Sequence, residues 1–166
     1  MFEGLFEGIT EGVKYMIELQ YLGNKDLLKM PKTGFLASNT IPSETVLRCY
    51  DWATKMRQQN RCVMSGFNSK LEQDVLHFLL KGKSPIIIVL ARKFYKTTPT
   101  EWVSSLDENR LLIISTSNQQ RQSRQSAMER NFFIADICDE LLSVGVTDSS
   151  SLIKLVETFP EKTTIL

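Results

Sequence analysis

The sequence predicts a Rossmann-like α/β fold, with three layers of helix, sheet and helix around a mainly parallel sheet of five to six strands. Three observations carry this. From residue 33 onward, short apolar runs alternate with amphipathic helical patterns, and that alternation builds βαβ units. The run Pro85-Ile86-Ile87-Ile88-Val89-Leu90 is apolar throughout, as in a strand covered on both faces. A chain of 166 residues with 42% hydrophobic and 23% charged content fits one domain with a well-buried core.

The elements follow in order. Phe2, Leu5, Phe6, Ile9, Val13, Met16 and Ile17 recur at three- and four-residue spacing, which predicts an amphipathic N-terminal helix over residues 2–20. Gly4, Gly8 and Gly12 fall four apart on it. Glycine costs a helix about 1 kcal/mol per position, so the stripe reads as a close helix contact, in a homodimer or on the chain's own domain. A linker with one helical turn, 24–29, completes residues 1–32. The Rossmann-like domain covers 33–166. Gly34 to Ser38 is its first strand, broken by Asn39-Thr40-Ile41-Pro42. Ser43 opens a helix that runs to about Gln59. Arg61 to Ser65 is a strand, Lys70 to Lys81 a helix stopped by Gly82, and residues 85–90 the next strand. A loop over 91–99 leads to a short helix, 100–108. Leu111 to Ser115 is a strand, 116–122 a polar loop, and Ser123 to Glu140 a helix. Leu141 to Val146 is a strand, 151–158 a helix, and 163–166 begins a sixth strand.

Composition excludes several classes. The net charge is +1, so an argument for a polyanionic partner must rest on how charge is distributed. Cys49, Cys62 and Cys138 are odd in number and far apart, and they read as buried free thiols of a reducing cytosol. With no CxxC pair and His77 as the single histidine, no metal site is expected, and no cofactor. Met1 is followed by glutamates rather than a basic segment, so no secretory signal is expected. No apolar run approaches the roughly 18 residues of a membrane span. The expectation is a cytoplasmic protein without membrane contact.

In parallel sheets, ligands bind beyond the carboxyl ends of the strands. Those ends are Ser38-Asn39, Ser65-Gly66-Phe67-Asn68-Ser69, residues 91–99, 116–122 and 147–151. The turn from Ser65 to Ser69 passes from strand to helix through a glycine, which permits close approach, and the first N–H groups of the following helix are free to bind an anion. From Lys81 to Thr100 there are five basic residues and no acid, and from Arg110 to Met128 three basic residues and no acid. Arg92, Lys93, Lys96, Arg121 and Arg124 fall at the ligand edge. Such an edge attracts phosphate, of a nucleotide or of a nucleic-acid backbone.

Catalytic constellations are thin. His77, mid-helix among apolar neighbours, reads as packed. Glu72 and Asp74, two apart on a helix, diverge. No GxSxG, GxxxxGK[ST] or GxGxxG occurs. Phe94, Tyr95 and Trp102 read either as base-stacking surfaces or as packing. On spacing alone, Arg130 and Asn131 read as two solvated helix residues.

In order along the chain, Ser38, Ser65-Gly66-Phe67, the segment Lys81 to Ile88, Ala91-Arg92 and Arg130-Asn131 resemble the core of the DprA/Smf DNA-processing proteins. The resemblance spans about residues 33–166 and is closest to small single-domain members. It implies single-stranded DNA binding near the strand ends and a homodimer. The expected function is therefore a non-catalytic protein that binds nucleotide phosphate or single-stranded DNA. Ser38, Asn39, Ser65, Gly66, Phe67, Asn68, Ser69, Arg92, Arg130, Asn131, Ser149 and Ser150 would line its site. The wider superfamily supplies the alternative, a LOG-type nucleoside-monophosphate phosphoribohydrolase. There Arg130 would match the catalytic arginine. The family's glutamate falls near Lys154, so Glu129 or Glu157 would have to replace it.

Overall fold

The computed structural model describes residues 4–10, 13–147 and 150–166. Among them runs a single sheet of eight strands in the order β1-β2-β6-β5-β4-β3-β7-β8. The strands are β1 (Gly4–Thr10), β2 (Val13–Gly23), β3 (Lys32–Ala37), β4 (Cys62–Ser65), β5 (Ile86–Leu90), β6 (Leu111–Ser115), β7 (Glu140–Val144) and β8 (Thr163–Ile165). Strands β3 to β8 are parallel. The β1–β2 hairpin is antiparallel, and β2 joins the sheet antiparallel to β6. The helices are α1 (Ser43–Met56), α2 (Lys70–Leu80), α3 (Thr100–Asp107), α4 (Arg124–Ile137) and α5 (Ile153–Thr158), with a 3-10 turn over Lys25–Lys29. The three-layer fold and every element expected between residues 33 and 166 are present.

The apolar run of β5 serves two cores. Ile86, Ile88 and Leu90 pack with α1, α2 and α3, whereas Ile87 and Val89 pack with α4 and α5. Each strand face therefore needs its own cover, which explains why alternation vanishes from the central strands. Phe35 stacks on Trp52 of α1 at 5.1 Å between ring centroids.

The predicted N-terminal helix is instead a hairpin, and the sheet exceeds the expected five to six strands. Three glycines weaken a helix, and Ile9, Thr10, Val13, Tyr15, Ile17 and Tyr21 favour strands. In β2 the buried Ile17 and Leu19 alternate with the exposed Met16 and Glu18, a period of two. Phe6 anchors β1 by meeting Phe133 of α4 edge-on at 4.8 Å. The glycine stripe therefore marks no helix contact; Gly4 and Gly8 lie on β1, and Gly12 lies outside the described residues.

The chain runs outward from β3 through β4 and β5 to β6, then returns to place β7 on the other side of β3. The strand order reverses between β3 and β7, so a crevice opens above their carboxyl ends. No helix among the described residues is long and apolar enough to cross a membrane.

Candidate functional site

At the reversal point, Ser38 closes the end of β3 onto the end of β7. Its N–H donates to Val144 O (3.0 Å) and its Oγ to Gly145 O (2.8 Å). Gly145 has φ +74, and a Cβ there would fall 2.4 Å from Ser38 Oγ. Only glycine fits both the backbone and the space.

The β4 turn is built mostly for its own integrity. Ser65 is fully buried, and its Oγ accepts the Phe67 N–H at 3.0 Å. Phe67 has φ +48 and packs in the core beneath α2. Ser69 caps α2, and Glu72 completes a capping box. Glu72 is also buried. Its Oε1 accepts from Asn68 N (2.8 Å) and Ser69 N (3.2 Å), while its Oε2 accepts from Ala37 N (2.9 Å). The β3 end and the β4 turn are thus tied through one carboxylate. The expected anion cradle of open N–H groups is thereby narrowed, because those of Asn68, Ser69 and Glu72 are already used.

Arg130 is carried by α4. It is 4% exposed, which overturns its reading as a solvated residue. Its Nε donates to Asn131 Oδ1 (2.8 Å) and its Nη1 to Val89 O (3.3 Å). Among the described residues, Nη2 has no hydrogen-bond partner, and no carboxylate lies within 4.0 Å of the guanidinium. Burial pushes this group below its ordinary pKa, and the Glu72 carboxylate pulls it back up. Arginine nevertheless keeps its charge.

Arg130 stands between two cavities. The larger, about 580 Å³, brings together Ser38, Asn39, Asn68, Ser69, Asn131 and Ser150, with Glu72 and Gln122. The smaller, about 240 Å³, is lined by Gly66, Phe67, Asn68 and Arg92. Ser65 lines neither, because its role is inside the turn. Ser149 lies outside the described residues. Among the described residues, no three His, Cys, Asp or Glu side chains gather as metal ligands.

The basic edge is real but smaller than the charge count suggests. Lys93, Lys96, Arg121 and Arg124 sit on the ligand side, and none pairs with a carboxylate among the described residues. Arg110 lies at the opposite edge and caps α2 through Leu79 O and Leu80 O, and Lys83 belongs there too, its N–H bonded to Arg57 O.

A family model for DNA recombination-mediator protein A matches residues 8–161. The chain belongs to that family. Among solved structures, it is similar to DNA processing protein A from Helicobacter pylori, which was studied for its single-stranded DNA binding mode. That match has a TM-score of 0.72 and 16% identity, and covers 98% of this chain and 79% of that one. DprA from Streptococcus pneumoniae matches with a TM-score of 0.60 and 15% identity, over 90% of this chain and 62% of that one. This chain therefore spans less than two thirds of the pneumococcal protein. No curated protein sequence matches. These structural matches support the fold seen here.

Sequence reasoning left several of these residues out. Glu72 was visible as the last residue of a Ser-x-x-Glu capping box, but its second oxygen acts over 35 positions. His77 is exposed, not packed, and its Nδ1 lies 3.4 Å from Glu101 Oε2. Trp102 is buried and Phe94 packs on the core, whereas Tyr95 is exposed beneath the Arg92 guanidinium at 4.2 Å.

Proposed function

We propose that this chain binds single-stranded DNA along the carboxyl edge of its sheet, with a backbone phosphate seated at Arg130. The observation that carries this reading is the buried guanidinium with a free Nη2 and no carboxylate within 4.0 Å among the described residues. A phosphate oxygen in the larger cavity would complete it, and a charge-assisted, forked contact of this kind is strong. Asn39, Asn131 and Ser150 offer neutral donors around the same space. The unpaired cations at the rim extend the positive field along a strand. Family membership and the DNA-binding Helicobacter relative support the choice of DNA over a free nucleotide. The hydrolase alternative lacks support from geometry, because neither Glu129 nor Glu157 lines either cavity.

The experiment is an anisotropy titration of labelled oligo-dT at several salt concentrations. Log K should fall with log salt at about −0.7 per phosphate neutralised. Arg130→Ala should lose at least tenfold in affinity. Arg121→Glu with Arg124→Glu, both at exposed positions, should flatten the salt slope without touching the core. Salt-independent binding, or full affinity in all these variants, overturns the reading. A mononucleotide that competes at equal phosphate concentration would favour nucleotide binding instead. The same reading includes a cytoplasmic homodimer, and sedimentation equilibrium that gives a monomer mass at every concentration would remove the dimer from it.

A further inference from the structure

We propose that the smaller cavity beside Arg130 receives one nucleobase of the bound strand, unstacked from its neighbours. This rests on the single-stranded DNA reading above. The floor is apolar, formed by Leu76, Ile88 and Leu90. One wall is a flat stack, with the Arg92 guanidinium 4.2 Å above the Tyr95 ring and Trp102 meeting that ring edge-on at 6.2 Å. Arg92 spends only its Nε, on Lys93 O, so its terminal nitrogens and its plane remain available. Planar cations and aromatic rings are the surfaces on which unpaired bases stack.

The rim has hydrogen-bonding capacity to spare. The side-chain amides of Asn68 and Gln122 make no hydrogen bond among the described residues, yet both border this cavity and the larger one. Each amide offers donors and an acceptor, which suits the edge of a base. Glu101, paired with His77 at the far lip, disfavours a phosphate there. The volume of about 240 Å³ lies below the roughly 300 Å³ at which pockets for larger ligands begin, so it suits one ring system. The two cavities share Asn68, Gln122 and Arg130, so a strand with a phosphate in one has the other beside it.

The test compares the full chain on two labelled oligonucleotides with the same phosphates, one of them with consecutive abasic positions. Wild type should bind the abasic strand roughly tenfold more weakly, the scale of one lost base stack. Tyr95→Ala should lose a similar factor on oligo-dT and little on the abasic strand, so the two affinities converge. Tyr95→Phe should behave as wild type. Equal wild-type affinity for both strands, with salt dependence intact, overturns the base subsite and leaves the phosphate seat standing. An equal loss on both strands in Tyr95→Ala also overturns it. Absence of binding to either strand overturns both proposals.

Discussion

A Cβ placed on Gly66 would lie 2.5 Å from Nη1 of Arg130. The glycine of the β4 turn leaves room for the guanidinium, the group proposed above to hold a backbone phosphate. Gly66→Ala should therefore separate binding from folding. The clash falls on the far end of a flexible side chain, so unfolding free energy should change by only about 1 kcal/mol. Displacing the guanidinium should weaken oligo-dT binding nearly as much as Arg130→Ala. Paired urea melts and anisotropy titrations check this, and an unchanged affinity would show that Gly66 has no part in placing Arg130.

Glu72→Gln should cost stability first. The carboxylate accepts three backbone N–H groups, and an amide must turn its NH₂ toward at least one of them. A buried donor left without an acceptor costs about 1–3 kcal/mol. The expected urea-derived loss is about 2 kcal/mol, with DNA affinity reduced because the β3 end and the β4 turn are no longer held together. A neutral effect on stability would mean that the N–H groups find other partners.

How much of this was legible follows from the range of the forces involved. The strand–helix alternation after residue 33 is a local pattern, and it predicted the elements correctly. The N-terminal hairpin was not legible, since Phe2, Leu5, Phe6 and Ile9 happen to fit a helical period. What decides the conformation of the described hairpin is pairing of Gln20–Gly23 with β6, some 90 residues away. Arg130 looked solvated on spacing because its burial depends on a cavity formed by three other strand ends. His77 looked packed because α2 is largely apolar, yet its own position faces α3 and solvent. Ser38, Asn39, Asn68, Ser69, Asn131 and Ser150 line one cavity, as do Glu72 and Gln122, which fell outside the expected set.

Lys162 should matter for folding and not for DNA. Its Nζ donates to Ala135 O (2.8 Å), Asp136 O (3.1 Å) and Cys138 O (2.8 Å). These carbonyls lie at the carboxyl end of α4, where a cation also meets the negative end of the helix dipole. Lys162→Met keeps much of the aliphatic stem and removes the donors. Stability should fall by about 1–2 kcal/mol, seen as a lower thermal midpoint, while oligo-dT affinity stays at the wild-type value. A fall in affinity at full occupancy of the fold would contradict the placement of the DNA edge on the opposite side of the sheet.

The buried thiols set an alkaline limit. Burial pushes Cys62 up to about 12 and Cys49 up to about 11, from an ordinary value of 9.0, and raises Cys138 as well. In the folded protein these thiols stay protonated while the same groups in the unfolded chain ionise above about pH 9. The unfolded state then binds fewer protons, so stability falls as pH rises. Below pH 9 both states are protonated and these groups add no slope. Urea midpoints should accordingly be level from pH 7 to 9 with respect to the thiols and decline from pH 9 toward 12. Because the thiolate is the reactive form, an aromatic disulfide reagent at pH 8 should label none of the three cysteines in the native protein and all three in urea. Rapid labelling of the native protein would show that the core opens far more readily than its packing implies.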